Sequence, residues 1–526
     1  MDFQRIIQWI KNRWDDWDGG WPIAIILFYV VQAVFKKKKK KSPPTGVVRG
    51  ARLPAAPLSR RPGTVRRTRR HPVLSAILDE TEEVLDRARG QSATAGMVPG
   101  IERGFVEPLE KLARQGWRRM GAAEDFQVYW MLLKLGIEQR SSQGLRTPGG
   151  QLLTDLEILG EEIWTKTVRA LGGTRMPVRQ LFPVRVPDRY SLPVHELDLV
   201  SSTAVAPLPV PESAGTQVWR WTTLYRETAH LVWSHQPGLQ GELRRKIGAE
   251  GAGPIPILAL SFFSQTRLAK HLMGVWLPEI FADLITCKAI GPAAAAAARA
   301  RHRDMDSESI GLIRGAQVEE GPGGFFYDSR PPPHLQMLLI RRILSRGPFV
   351  HHAEADGSRW TRDHGDLGEL LLELPGGYAR AVPIQPFISE MERVVDRLLT
   401  SRLRSIGGRT LSDLPELGLS FEQFNEIERA VKRPRPDRLE KAKSAAWVIA
   451  FAAMAHDQEM AHHAKTAHRV LAYHARGVPI AEAAPQPAAA VAAGPASSTD
   501  WVRDAIVWRE ILMPPVSRRP RERLRK

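Results

Sequence analysis

WRWTTLYRETAHLVWSH (219–235) is the stretch on which the reading of this chain turns. Its apolar residues recur at helical spacing, and Thr222 or Thr223 stands near the start of the helix so predicted. Within it, Arg226 and His230 lie four residues apart and so share one helix face, with Glu227 beside them. One reading is an ordinary amphipathic helix, with His230 a satisfied core histidine and Arg226–Glu227 a surface pair.

A second helical segment downstream carries Glu279 and Asp283, again at i, i+4. Zinc hydrolases built on H-E-x-x-H bind the ion through two histidines on one helix face, and the intervening glutamate activates the metal-bound water. A third ligand then comes from another helix, and neighbouring acids orient the histidines. Trp276-Leu277-Pro278-Glu279-Ile280-Phe281-Ala282-Asp283-Leu284, followed by Gly291-Pro292-Ala293, resembles the third-ligand helix of gluzincin-type bacterial metallopeptidases. Asp328-Ser329-Arg330-Pro331-Pro332-Pro333-His334-Leu335 is similar to an H-P-P segment that opens a later helix in such proteins. The resemblance covers roughly 200–350. It implies Glu227 at the general-base position, His230 and Glu279 as metal ligands and Asp283 as an acid behind them.

Arg226 stands where the first zinc histidine of that pattern belongs, and Arg330 where a histidine is expected in the proline segment. A guanidinium stays protonated and offers no lone pair to a cation. Of three ligands only His230 and Glu279 remain, whereas catalytic zinc sites use three. His235 is turned away around the helix from His230 and is a poor substitute. The expectation is that Arg226 enters the metal position and pairs with Glu227 and Glu279, leaving the general base inactive and the site without a cofactor. An active site with altered zinc ligation is the alternative.

Around this segment the chain has 526 residues, 43% of them hydrophobic and 25% charged, in the globular range. A single cysteine, Cys287, excludes a disulfide framework or a multi-cysteine zinc site. The net charge of +18 is not spread over the body. Residues 36–71 hold six lysines, Lys36, Lys37, Lys38, Lys39, Lys40 and Lys41, and eight arginines with no acid, and 518–526 form a second basic run. What remains is electrically balanced, unlike a dedicated nucleic-acid-binding fold.

Trp21 to Phe35 (WPIAIILFYVVQAVF) is free of charge and, as a helix, about 22 Å long. Tryptophans at 9, 14, 17 and 21 suit an interfacial belt, and the lysines that follow place the body on the cytoplasmic side. Residues 1–35 are therefore expected to be an interfacial helix and single transmembrane anchor, and 36–72 a basic disordered linker, read as a topology signal and tether, with binding of its lysines to anionic lipid or to nucleic acid as the alternatives. Beyond it come a helical region (73–180), a gluzincin-like domain (181–375), a C-terminal helical region (376–477), and an Ala/Pro linker with short helix and basic tail (478–526). The fold class is mainly α, with a small sheet in the peptidase-like domain. Helices are expected at 384–405, 420–431 and 438–474, and a mixed stretch at 348–375. Five histidines on 438–474 (His456, His462, His463, His468, His474) lack chelating spacing and read as a packed or solvated face.

These readings combine into a single-pass protein of a bacterial inner membrane whose inactive peptidase-like body recruits a protein partner. The alternatives are an active membrane-tethered zinc peptidase and a membrane-bound nucleic-acid tether acting through the basic segments.

Overall fold

The computed structural model describes residues 72–90, 98–102, 106–107, 110, 130–139, 148–172, 180–186, 205–249, 255–256, 264–318, 324–375, 377–460 and 462–480. The chain divides into Met1–Arg67 and Thr68–Lys526, and everything below belongs to the second unit. The expected anchor, the basic linker with Lys36 to Lys41, and the basic tail lie outside the described residues. Among the described residues no helix is long and apolar enough to cross a membrane.

Among the described residues the body is mainly helical with three small sheets. Helix α1 (Pro72–Arg89) and the longer α2 (Pro148–Ala170) precede a pair of parallel strands, β1 (Gln180–Val186) and β2 (Val205–Pro211). Strand β2 has proline at 207, 209 and 211, so only alternate residues can donate. That suffices for one neighbour and suits a two-stranded sheet. The helical stretch 130–139 lies close against β1: a Cβ on Gly136 would meet the Phe182 ring at 2.5 Å, so only glycine allows this approach.

Next come α3 (Thr223–His235), α4 (Leu239–Ile247), the short β3 (Ile255–Pro256), α5 (Gln265–Val275), α6 (Leu277–Ile290) and α7 (Ala293–His302). Helix α6 is apolar on nearly every face and is buried along most of its length, the signature of a central helix. Pro278 in its first turn fixes its start, because the missing N–H is one that a helix start leaves unpaired anyway. Helix α3 packs along α6, and Trp233 meets Phe281 with ring centroids 5.6 Å apart.

Strands β4 (Leu312–Ile313), β5 (Gly315–Val318) and β6 (Gly324–Tyr327) lead into α8 (Pro333–Ser345) and α9 (Val350–His364). Strands β7 (Glu369–Leu374) and β8 (Tyr378–Pro383) form a hairpin that adds to β4. Helices α10 (Gln385–Thr400), α11 (Phe421–Lys432), α12 (Ala445–Asp457) and α13 (His463–Arg476) complete the unit. A capping box between Ser420 and Gln423 opens α11.

Three stretches differ from expectation. Residues 348–375 are a full helix followed by a strand, since α9 keeps Ala353, Asp356 and Trp360 on a buried face while the rest stays polar. Helix α10 ends at Thr400, where the chain turns out to a bridge between Leu403 and Arg409 through Gly407 and Gly408, both with positive φ. The single helix expected over 438–474 is two. The chain breaks after Asp457, with Glu459 (φ 50) and His462 (φ 67) in the left-handed region.

Candidate functional site: a buried arginine between two carboxylates

The site forms where α3 crosses α6. Four-residue spacing on each helix brings Arg226 with His230, and Glu279 with Asp283, onto the facing sides. All four are buried, with relative exposures of 9%, 1%, 3% and 3%. Arg226 Nη1 donates to Asp283 Oδ1 and Nη2 to Glu279 Oε2, so its planar fork spans both carboxylates. His230 Nε2 lies 3.5 Å from Glu279 Oε1, the oxygen that Arg226 leaves open.

Glu227, one position round the helix, is half-buried and acts on Arg226 through its field. The direct pairing expected between Arg226 and Glu227 is thus replaced by one with Asp283. The reason is geometric: Asp283 faces α3 one turn after Glu279, whereas Glu227 is rotated off the Arg226 face.

Arg330 Nε approaches Glu279 Oε1 at 3.6 Å from the more open side. Its segment is held in place by Trp276 Nε1, which donates to Asp328 O at 3.0 Å, and by Asp328 Oδ1, which accepts from Arg330 N at 3.1 Å. His334 is buried in α8, where its Nδ1 accepts from Trp360 Nε1 at 3.1 Å. Burial lowers its pKa, so it is a neutral packing residue.

A second layer of polar groups backs Asp283. Gln336 Nε2 donates to Asp283 Oδ2 at 2.8 Å, and Gln336 Oε1 lies 2.9 Å from His302 Nε2. An amide oxygen can only accept, so His302 carries its proton on Nε2 and turns its bare Nδ1 to Met305 Sδ at 3.3 Å. Burial, with help from Arg301, pushes His302 down to about 3 and keeps it neutral.

The charges are strongly coupled. Burial works against charge on Arg226, but Asp283, Glu279 and Glu227 outweigh it and hold the guanidinium protonated. Burial likewise opposes ionisation of Glu279, and Arg226 followed by His230 overcomes it, holding this carboxyl well below the usual range. Asp283 is enclosed on all sides, and there burial prevails over Arg226 and raises its pKa.

Among the described residues no group of three or more His, Cys, Asp or Glu side chains could hold a metal ion. His230 and Glu279 supply two donors, and a fixed cation already presses on the carboxylates. The residues present therefore do not fit a three-ligand zinc ion.

Gln336, His302 and Arg301 belong to this constellation but were not singled out from the sequence. Gln336 lies two residues beyond His334 in the segment that carried the resemblance, and His302 and Arg301 end the alanine run of α7. Of the histidines expected on one helix over 438–474, His462 is exposed and the others bond within the body. His456 Nδ1 lies 3.0 Å from His463 Nε2, His468 Nε2 is 2.6 Å from Gly215 O, and His474 Nε2 is 2.7 Å from Glu162 Oε2. Compared with models of protein families, with curated proteins and with solved structures, the chain matches none.

Proposed function

We propose that this chain is a membrane-anchored, catalytically inactive metallopeptidase-like protein that acts as a scaffold or adaptor and recruits a protein partner to the membrane. The observation that supports it is the Arg226 fork closed on Glu279 and Asp283. In a gluzincin those acids would face a metal ion and its imidazoles. Here a side chain supplies the positive charge, which removes both a ligand and the Lewis acid that peptide hydrolysis needs. A body that keeps such a fold without its chemistry is left with binding. The membrane part of the reading rests on the apolar run 21–35 and the lysines after it.

Metal content tests the inactive reading. Purified full-length protein dialysed against zinc is expected to retain no stoichiometric ion and to cleave no quenched-fluorescent peptide library. Arg226→His, which returns an imidazole to the i−4 position of His230, is expected to gain one zinc per chain. One tightly held zinc in the unmodified protein, released by Glu279→Ala, would sink the proposal. For the anchor, deletion of 1–35 should move the chain from the membrane to the soluble fraction.

A further inference from the structure

Helix α7 turns one stripe, Ala294, Ala297, Ala298 and Arg301, towards the pocket beside Arg226, at the helical i, i+3, i+4, i+7 spacing. Three of the four are alanines, so their side chains stop short and leave a cavity of about 10 Å³ that Arg226, Asp283, Gln336 and Arg301 border. Arg301 is the one charged residue of this stripe.

The arginines of this helix and its end differ in how they are neutralised. Arg299 binds Asp356, and its Nη2 reaches Asp457 at 2.7 Å. Arg303 meets Glu459 at 2.9 Å. Arg301 has no carboxylate within 4.0 Å among the described residues; Asp283 and Glu279 act on it only from a distance. Both of those carboxylates already accept from Arg226, and Glu279 also faces Arg330. Three guanidinium groups thus share two buried carboxylates and the half-buried Glu227, and Arg301 is the one of the three with no carboxylate in contact. Burial, and next the Arg226 charge, push its pKa down to about 9, a sign that the charged form lacks compensation.

We propose that the pocket between Arg226 and Arg301 binds one small monovalent anion of chloride size. The volume bounds the occupant, since about 10–15 Å³ is the least that holds a single water, so a phosphate or a peptide carboxylate is excluded and a single-atom ion is the largest candidate; the unpaired Arg301 guanidinium sets its sign. The apolar wall of alanines strengthens the attraction by keeping competing water out. The site stands on Arg301 and the cavity alone and does not depend on whether the body is peptidase-like.

Two measurements on the full chain decide this. Crystals soaked in sodium bromide are expected to show an anomalous peak beside the Arg301 guanidinium; bromide peaks elsewhere with none in the pocket would overturn the site. In thermal unfolding at constant ionic strength, replacing gluconate by chloride should raise Tm in a saturating manner, by about 3 °C. Arg301→Met should abolish that rise, and Arg362→Gln, which removes the same charge from a side chain that is 75% exposed, should keep it. Because the basic segments attract anions diffusely, an equal response in Arg301→Met and the unmodified protein would refute a discrete site. Arg301→Met removes an uncompensated cation, so it should fold; if it does not, the bromide map decides.

Discussion

Replacing Arg226 by methionine keeps most of the side-chain volume and removes the charge. Two carboxylates on one face of α6, each 3% exposed, are then left side by side against α3 without their cation. Breaking a buried ion pair by removing one partner costs about 3–5 kcal/mol. Arg226→Met is therefore expected to lose at least about 3 kcal/mol in urea unfolding at pH 7. The pH dependence should also change sign. In the unmodified protein Glu279 is held below its unfolded value, so its stabilisation is complete above about pH 4.3 and is lost as pH falls through the folded value. Without Arg226, Glu279 loses the largest of the influences that lower it and Asp283, already raised by burial, is raised further, so the variant should gain stability as pH falls from 7 towards 4. Triple replacement Arg226→Met, Glu279→Gln, Asp283→Asn should recover most of the loss, because no carboxylate is left buried there without its cation. The assay is a set of urea curves at pH 7, 6, 5 and 4. A loss under about 1 kcal/mol, or a variant that weakens in acid as the unmodified protein does, would refute the argument that this guanidinium compensates the buried acids.

Three further outcomes follow from the same structure. Gln336→Leu leaves Asp283 Oδ2 without its donor and His302 Nε2 without its acceptor, and should cost about 1–3 kcal/mol in the same unfolding assay. Glu162 is pushed up by burial but pulled down further by His474, Lys166 and the Ala445 amide, to about 2, so its stabilisation is present above its ordinary 4.5 and fades as pH falls towards 2. Glu162→Gln should flatten that part of an acid-unfolding curve followed by circular dichroism. Gly418→Ala would put a Cβ 2.4 Å from the Lys288 carbonyl oxygen, and the loop must shift; a loss of about 1–3 kcal/mol is expected, read as a lower urea midpoint.

How far the sequence speaks for itself varies along the chain. The 3.6-residue spacing of 219–235 reveals one helix and the segment that carries Glu279 and Asp283 reads as a second, and the i, i+4 pairs put Arg226 with His230 and Glu279 with Asp283. What pattern alone cannot supply is the angle at which two helices meet, and that angle decides for Asp283 over Glu227 as the partner of Arg226. The same holds for Gln336 and His302, which join the network from α8 and α7, far away in sequence. The break between α12 and α13 was hidden because neither glycine nor proline marks it; Glu459 and His462 take the left-handed conformation themselves. Helix α9 is faint in the sequence because its apolar face is only one residue wide per turn and Gly357 lies in its middle, against the Arg341 side chain.

The Arg226 fork also closes a loop in the chain. It ties position 226 to positions 53 and 57 residues further on, with the Trp233 and Phe281 rings in tilted contact between the same two helices. A protease cut anywhere between Gln236 and Ser264 would sever the backbone yet leave both ends of that excursion fastened at its neck. The two fragments should co-elute on a sizing column and part only in denaturant. The same clasp makes this excursion a natural place to insert a reporter domain without unfastening the helices on either side.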